Sequence, residues 1–524
     1  MTDQVVIGKN IIEVLTTGMY ENPLVIFREY IQNSVDAINH AVELEIFDER
    51  RDGEINIRIS PESKTIDFYD NAIGVRADDA WRVLTSIAAS TKDRNKHLGF
   101  RGIGRLAGLA YCEKLTIETS FRGEDVKTKL IWDGEKLRTI LSNQKDNPSA
   151  DELIKLITTF SNNLPEDKEK HYFKVKLFNV KNNKLLIVEN VEKYLRMVAP
   201  VPFQYHFIYG PKIMDGLEDR GTIFGEYRIF VNNREVFKPY RSNIYKAEKK
   251  GEKQIDEIID IEFKEFVLNG QLMAVGWYGI TKNMHLIPAH NEPVGIRFRK
   301  GNIQIGTGLT FQKFFKDQRF HRYFIGEVHI VSNLLLPNGQ RDYFDNSSTL
   351  ILFEGLMNEF TIELSRLCKV VSELNSATSK MTEYKKKKIE YETKECKNEF
   401  ISPNHERNEK DKLEQAKEKA GVGQKEFEKI EKKAEENEAL KKIISHRRRT
   451  IEKEKDGKDS ECANDENSKK SKKKYKSNKL SKLSKKEQKL IGEVYEVIST
   501  ILPPDLADVL IYKIQEKFGD HVKC

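Results

Sequence analysis

The stretch from Asn22 to Leu44 constrains this chain more than any other. At about 100° per residue, Leu24, Phe27, Ile31, Val35, Ile38 and Val42 fall on one side of a helix. Glu29, Asn33 and Asp36 fall on the other, within an arc of about 60°. Asn22 reads as the N-cap and Pro23 as the first helical position. The apolar stripe has to be covered by another layer of structure. The polar stripe has two readings: a face in water, or the floor of a site. Taken alone, the helix favours water. The residues that follow reverse that preference.

The spacing E-x-x-x-N-x-x-D sets a carboxylate and a carboxamide one helical turn apart. Mg²⁺ takes oxygen ligands and often few of them from protein, so Asn33 suits it. A glutamate one turn away can orient and deprotonate a water. Downstream, INIRI (55–59) and TIDFYD (65–70) read as two strands joined by the turn SPESK. Asp70 closes the second strand, where a carboxylate can accept a hydrogen bond from an exocyclic amine. Gly74 lets the backbone approach a flat ring, although strand-to-loop turns are also rich in Asp, Asn and Gly. The third element is LGFRGIGRLAG, with Gly99, Gly102, Gly104 and Gly108 in one loop. Successive backbone N–H groups in such a loop cradle phosphate oxygens. No Gly-Lys-Ser/Thr ends it, so it is not a Walker A loop, and it follows a helix rather than a first strand.

Around these elements the chain alternates helix and strand up to about residue 195, which predicts an α/β sandwich with a mixed sheet against helices. VAPVPF marks a crossing into a second α/β or α+β unit, 196–374, with strands YRIFVNN, QLMAVGWYGI, VGIRFRK and GEVHIVS. Lys and Glu then dominate 375–456, which reads as charged helices, in coiled-coil fashion, interrupted at Pro403 and Gly421-Val422-Gly423. Residues 457–485 read as a basic disordered linker, and 486–524 as a helical association segment split by Pro503-Pro504. RFRKGNIQIG (297–306) reads as a basic strand end in solvent.

The order of the three motifs within about 80 residues resembles the GHKL ATPase superfamily, which includes DNA gyrase B, heat-shock-protein-90 chaperones, histidine kinases and MutL. The chaperone branch is the most similar, with SIAAST (86–91) and LGFRGIGRLAGLAYCEKLTIET resembling its lid region and following strand. The resemblance covers about residues 5–185 and implies a Bergerat α/β sandwich that binds ATP and Mg²⁺. It implies Glu29 as the general base, Asn33 as the Mg²⁺ ligand, and Asp70 and Gly74 at adenine. Asp36, Ser90, Thr91, Gly102 and Gly104 would complete the nucleotide site, and residues 92–101 the moving lid. EVHIVSNLLLPNGQRDYF resembles the catalytic loop of the chaperone middle, or transducer, domain. There Arg341 would reach the γ-phosphate, with Gln340 a second candidate; a surface arginine paired with Asp342 or Asp345 is the plainer alternative. The family has a glycine where Ala72 stands, and HYFKVKLFNV (171–180) lacks the family's Gly-Thr pair. Glu29 argues against a histidine kinase, whose helix commonly has Asn at the first position.

The resemblance implies a dimeric clamp with a protein client, acting as a chaperone. A nucleic-acid clamp like MutL or the MORC ATPases, in genome defence, is the rival. The basic tract 468–485 and the charged helices favour it. The net charge of +7 neither demands nor excludes a nucleic acid. The five cysteines are scattered, with no metal spacing and no disulfide framework, which suits a reducing cytoplasm. No apolar run is long enough for a bilayer, and MTDQVVIGKN has no signal-peptide pattern.

Overall fold

The computed structural model describes residues 8–16, 22–87, 104–143, 145, 147–222, 224–397, 399–456, 480 and 483–518. The chain divides into two compact units, Met1–Thr281 with His285–Ser365, and Lys282–Met284 with Arg366–Cys524.

The first unit opens with α1 (Asn10–Thr16) and α2 (Val25–Glu43). Asn22 and Pro23 precede the helix rather than cap and begin it: the N-cap is Leu24, which has no side-chain cap, and the Asn22 Oδ1 accepts from the Leu24 N–H at 3.1 Å. The strands β1 (Glu54–Ser60) and β2 (Thr65–Asp70) follow, then α3 (Ala77–Thr85), β3 (Lys114–Ser120) and β4 (Val126–Asp133). Next come α4 (Gly134–Ser142), α5 (Ala150–Ile157), β5 (Thr158–Pro165), β6 (Tyr172–Phe178), α6 (Val188–Val198), α7 (Gly210–Glu218), β7 (Arg228–Val231) and β8 (Arg234–Glu235). These strands form one eight-stranded sheet in the order β5-β4-β3-β6-β2-β1-β7-β8. Its pairs are antiparallel except β1 with β7.

Period-two alternation decides which side chains reach the core. Ile55, Ile57 and Ile59 of β1 and Ile66 and Phe68 of β2 point inward and are buried. Asp70 shares their parity, so its carboxylate is carried to the inner side of the sheet, where it is also buried. The apolar stripe of α2 (Phe27, Ile31, Val35, Ile38) packs into the same core as these strands and as Val175 and Leu177 of β6.

The second sheet is formed by β9 (Asn243–Glu248), β10 (Gly251–Leu268), β11 (Gln271–Thr281), β12 (Gly295–Lys300), β13 (Ile303–Ile305) and β14 (Ile325–Ile330). Its order is β13-β12-β14-β11-β10-β9. Phe203, Phe207, Tyr240 and Trp277 form an aromatic cluster in its core. Two expectations fail: the strand in YRIFVNN, β7, joins the first sheet beside β1 rather than a second unit, and RFRKGNIQIG is not a solvated strand end. β12 lies between β13 and β14, and Arg297 and Arg299 are buried. Their charges are satisfied inside: Arg297 donates to the carbonyls of Glu292, Pro293 and Val294, and Arg299 pairs with Glu327 of β14.

The helix α8 (Ser348–Cys396) starts in the first unit and continues in the second, which adds α9 (Pro403–Lys433), α10 (Glu438–Asp456), α11 (Lys485–Ile501) and α12 (Pro504–Phe518). Ser402 caps α9 and Pro403 begins it. Gly421 and Gly423 do not interrupt α9, contrary to the sequence reading. Gly423 lies against α8, where a Cβ would come within 2.8 Å of the Ala377 carbonyl oxygen. That close approach offsets the ~1 kcal/mol a mid-helix glycine costs. Lys380–Glu426 and Lys394–Glu409 pairs run down the two helices in antiparallel order. Tyr495 of α11 and Ile511 of α12 pack with Ile401 and Leu480. Leu490, Val494, Val497 and Ile501 form an exposed apolar stripe along α11. Among the described residues, no helix is long and apolar enough to cross a membrane.

Candidate active site

The polar face of α2 is not in water. Glu29 is 8% exposed, Asp36 4% and the neighbouring Arg28 4%. Charged groups buried to this degree need partners. The Glu29 Oε1 lies 3.3 Å from the Arg28 Nη2 and 3.6 Å from the Arg341 Nε. Arg28 also donates to two carbonyls of the loop after β14, Gln340 at 2.9 Å and Arg341 at 3.5 Å. The loop of the second sheet is thus seated on the helix of the first. Arg341 is not a surface arginine. Its side chain is 12% exposed, and its backbone sits at φ 55°. That left-handed conformation costs a residue with a Cβ about 1–2 kcal/mol. It is sustained by hydrogen bonds from the Arg341 N–H to the Asn338 carbonyl and from the Gly306 N–H to the Arg341 carbonyl.

Asn33, one turn beyond Glu29, is half-buried, and its carboxamide hydrogen-bonds to no described residue. Beside it, Gln32 is buried with neither amide atom partnered. Burial pushes the Tyr194 phenol of α6 up to about 12, with the charges of Arg28 and Glu29 acting on it in opposite directions.

Asp70 faces the same helix. Its Oδ2 accepts from the Ser34 hydroxyl at 2.6 Å and its Oδ1 from the Ala72 N–H at 3.2 Å. Ala72 has no positive φ, so the backbone there does not need the glycine that the family pattern carries. Gly74 does need to be glycine. Its φ is +69°, and a Cβ would lie 1.9 Å from the Ser120 carbonyl oxygen. The loop between β2 and α3 is pinned by the Thr119 hydroxyl, which accepts from the Val75 N–H, and by His171, whose Nδ1 bonds the Ala72 carbonyl. On β6 the residue across from Asp70 is Phe173, and across from Phe173 on β3 is Thr119. The hydroxyl on this part of the sheet therefore comes from β3.

Gly104 starts a 3₁₀ segment, Gly104–Tyr111. A Cβ at Gly104 would stand 2.7 Å from the Glu29 Oε2, so the end of the glycine-rich loop abuts the carboxylate. Ser90, Thr91, Gly102 and the lid segment 92–101 lie outside the described residues. Among the expected site residues, the fold thus gathers Glu29, Asn33, Asp36 and Gly104 on or against α2. Asp70 and Gly74 lie at the β2 end, and Arg341 arrives from the second sheet.

The donor set fits a nucleotide with a hard cation. A half-buried carboxamide oxygen offers one ligand, with water and phosphate oxygens left to supply the rest. A carboxylate at the Asp70 position is of the kind that accepts from an exocyclic amine. Two arginines and a glutamate within 4 Å combine a base with anion-stabilising groups.

Residues 22–163 match the family described as histidine kinase-, DNA gyrase B-, and HSP90-like ATPase. This segment belongs to the GHKL ATPase superfamily, on its HSP90-like side. The chain is similar to the chaperone protein HtpG of Buchnera aphidicola, 27% identical over 142 residues, which is 24% of this chain and 23% of that one. It is 28% identical over 142 residues to HtpG of Acinetobacter baylyi, 23% of this chain and 22% of the relative. It is 29% identical over 159 residues to HtpG of Yersinia pestis, 26% of this chain and 25% of the relative. The matched region spans about a quarter of the length of these relatives.

Two site residues escaped the sequence reading. Arg28 was hidden by its neighbour Glu29, and an arginine inside an otherwise apolar helix start was the available signal. Ser34 has no motif of its own. Its role follows only once β2 delivers Asp70 to the helix.

Proposed function

We propose that this chain is a Mg²⁺-dependent ATPase working as a dimeric, chaperone-like clamp. The observation that carries the reading is the buried cluster of Arg28, Glu29 and Arg341 on the polar face of α2. ATP with Mg²⁺, when bound, supplies a labile phosphoanhydride and a metal that offsets its charge. In this reading Asp70 accepts the adenine amine and Gly74 leaves room for the ring. Asn33 provides the protein oxygen to Mg²⁺, and Asp36 supports the same end of the site. Glu29 takes the proton from the attacking water. Arg341 opposes the charge that builds on the γ-phosphate, a role worth about 10³–10⁵ in rate for arginines of this kind. Ser90, Thr91, Gly102 and Gly104 belong to the phosphate side, and residues 92–101 close over it. Association through 486–524 makes the dimer, supported by the exposed stripe Leu490, Val494, Val497 and Ile501. The client is protein and the compartment cytoplasmic.

The test is ATP turnover and nucleotide binding of the wild type against Glu29→Ala. Binding in both with turnover only in the wild type is expected. Failure of both proteins to bind ATP overturns the reading. Adding DNA and an unfolded protein to the same assay separates the clients. Salt-dependent stimulation by DNA would replace the chaperone with a nucleic-acid clamp. Suppression of aggregation keeps the chaperone.

A further inference from the structure

The basic hairpin β12–β13 has a position that its composition does not suggest. It touches segments that belong to the first sheet and also the loop that carries Arg341. On one side, Arg299 donates to the Met197 carbonyl of α6 at 2.7 Å, and the Asn302 Nδ2 to the Gly225 carbonyl at 2.8 Å. Lys238, three residues past β8, donates to the Asn302 Oδ1 at 2.7 Å and pairs with Glu327 at 3.4 Å. Glu327 is shared with Arg299, Tyr240 and His329, and all of these side chains are buried. On the other side, the Lys300 Nζ donates to the Ser332 carbonyl at 2.8 Å and the Leu335 carbonyl at 3.3 Å. At the far end of the hairpin, the Gly306 N–H donates to the carbonyl of Arg341 itself at 2.9 Å.

Lys300, like Arg297, is held by backbone carbonyls, but those of Lys300 belong to the loop after β14. Arg299 and Lys238 have a carboxylate, whereas Lys300 is half-buried with two backbone carbonyls as its partners. Burial alone pushes its ammonium down to about 8. Keeping a cation there is unfavourable for folding, so packing alone does not account for it. What its two hydrogen bonds do is hold the root of the loop whose tip seats Arg341 against Glu29.

We propose that Lys300 is a positioning residue for Arg341, holding the loop 332–345 so that the guanidinium stays at Glu29. This rests on the ATPase reading for its consequence in rate, and on the loop geometry for the rest. A misplacement of about 1 Å at a reacting group can cost on the order of 10²-fold in rate.

The test uses the full-length protein with Lys300→Met, Lys300→Gln and Lys300→Arg. Hydrogen exchange is read at the amides of Asn338, Arg341 and Asp345, which are bonded within the loop. In Lys300→Met these amides are expected to exchange at least about tenfold faster, while β10 and β11 keep their protection. The kcat is expected to fall about 10- to 10²-fold with nucleotide Kd unchanged, and Lys300→Arg to restore most of it. Unfolding stability of Lys300→Met is expected to stay close to that of the wild type, because removal of a half-buried charge offsets the two hydrogen bonds lost. A lysine serving only the fold would lower stability and rate together. Unchanged loop exchange in both Lys300→Met and Lys300→Gln overturns the proposal, as does a loosened loop with unaltered kcat. If Lys300→Met does not fold, Lys300→Gln carries the same comparison. A wild type that neither binds nor hydrolyses ATP overturns the ATPase reading instead. The exchange measurement, which needs no nucleotide, tells the two failures apart.

Discussion

Gly74→Ala isolates what the loop after β2 demands. Gly74 and Gly123, in loops beside the first sheet, are both left-handed but differ in their surroundings. Gly74 has φ +69° and a would-be Cβ 1.9 Å from the Ser120 carbonyl oxygen, 2.8 Å from its carbon and 2.9 Å from the Tyr172 carbonyl oxygen. Gly123 has φ +88° and open space around the same position. Alanine at Gly123 meets only the left-handed strain, about 1–2 kcal/mol. Alanine at Gly74 meets that strain and a collision with two backbone carbonyls of β3 and β6. Carbonyls cannot swing away as a side-chain tip can, so the loop or the strands must shift by about an ångström or more. Overpacking of this kind adds about 1–3 kcal/mol, for a total of about 2–5 kcal/mol. Hydrogen exchange at the amides of β2, β3 and β6 reads the loss as a fall in opening free energy. Nucleotide binding is measured alongside, and is expected to be lost in Gly74→Ala and retained in Gly123→Ala. Equal destabilisation by the two substitutions would refute the reasoning, since it would mean that the Ser120 contact carries no cost.

Ser34→Ala removes the hydroxyl that donates to Asp70 at 2.6 Å. Hydrogen bonds to charged groups are worth about 1.5–3 kcal/mol, so the first unit should lose about that much in a urea titration, with m unchanged. Burial holds the His321 imidazole down to about 4, from an ordinary value of 6.5. Its Nε2 lies 3.0 Å from the Ile296 N and 3.2 Å from the Ile296 carbonyl oxygen, and burial outweighs the help that carbonyl gives the charged ring. The folded state therefore resists a proton that the unfolded state accepts. Stability from this group is fully present above about pH 6.5 and is lost as pH falls from there toward 4, by about 1.4 kcal/mol per pH unit. His321→Gln should remove that slope in unfolding measured between pH 6.5 and 4.

Period and punctuation along the chain were enough for the local parts of this protein. The 3.6-residue repeat separated Phe27, Ile31, Val35 and Ile38 from Glu29, Asn33 and Asp36, and α2 places them so. Two-residue alternation in TIDFYD put Asp70 on the side of Ile66 and Phe68. Asp70, Asn71 and Gly74 marked a turn at the end of β2, and Gly74 takes the left-handed conformation there. These features are set within one or two turns of chain, which is why composition and spacing reach them.

Tertiary structure decided the rest. Nothing local indicates that Arg28 bonds the carbonyl of Gln340, 312 positions away, or that Arg341 then reaches Glu29. Nor does the run RFRKGN reveal that its arginines are buried. That follows from β12 being enclosed by β13 and β14, with Glu327 brought opposite by the parallel pairing of β12 with β14. Gly421 and Gly423 read as helix breakers until α9 is seen pressed on α8, where a side chain at Gly423 would not fit. The physical reason is the same in each case. A residue's periodicity decides which face it occupies, whereas its partner is decided by strand order and helix docking, which depend on free energy summed over the whole core.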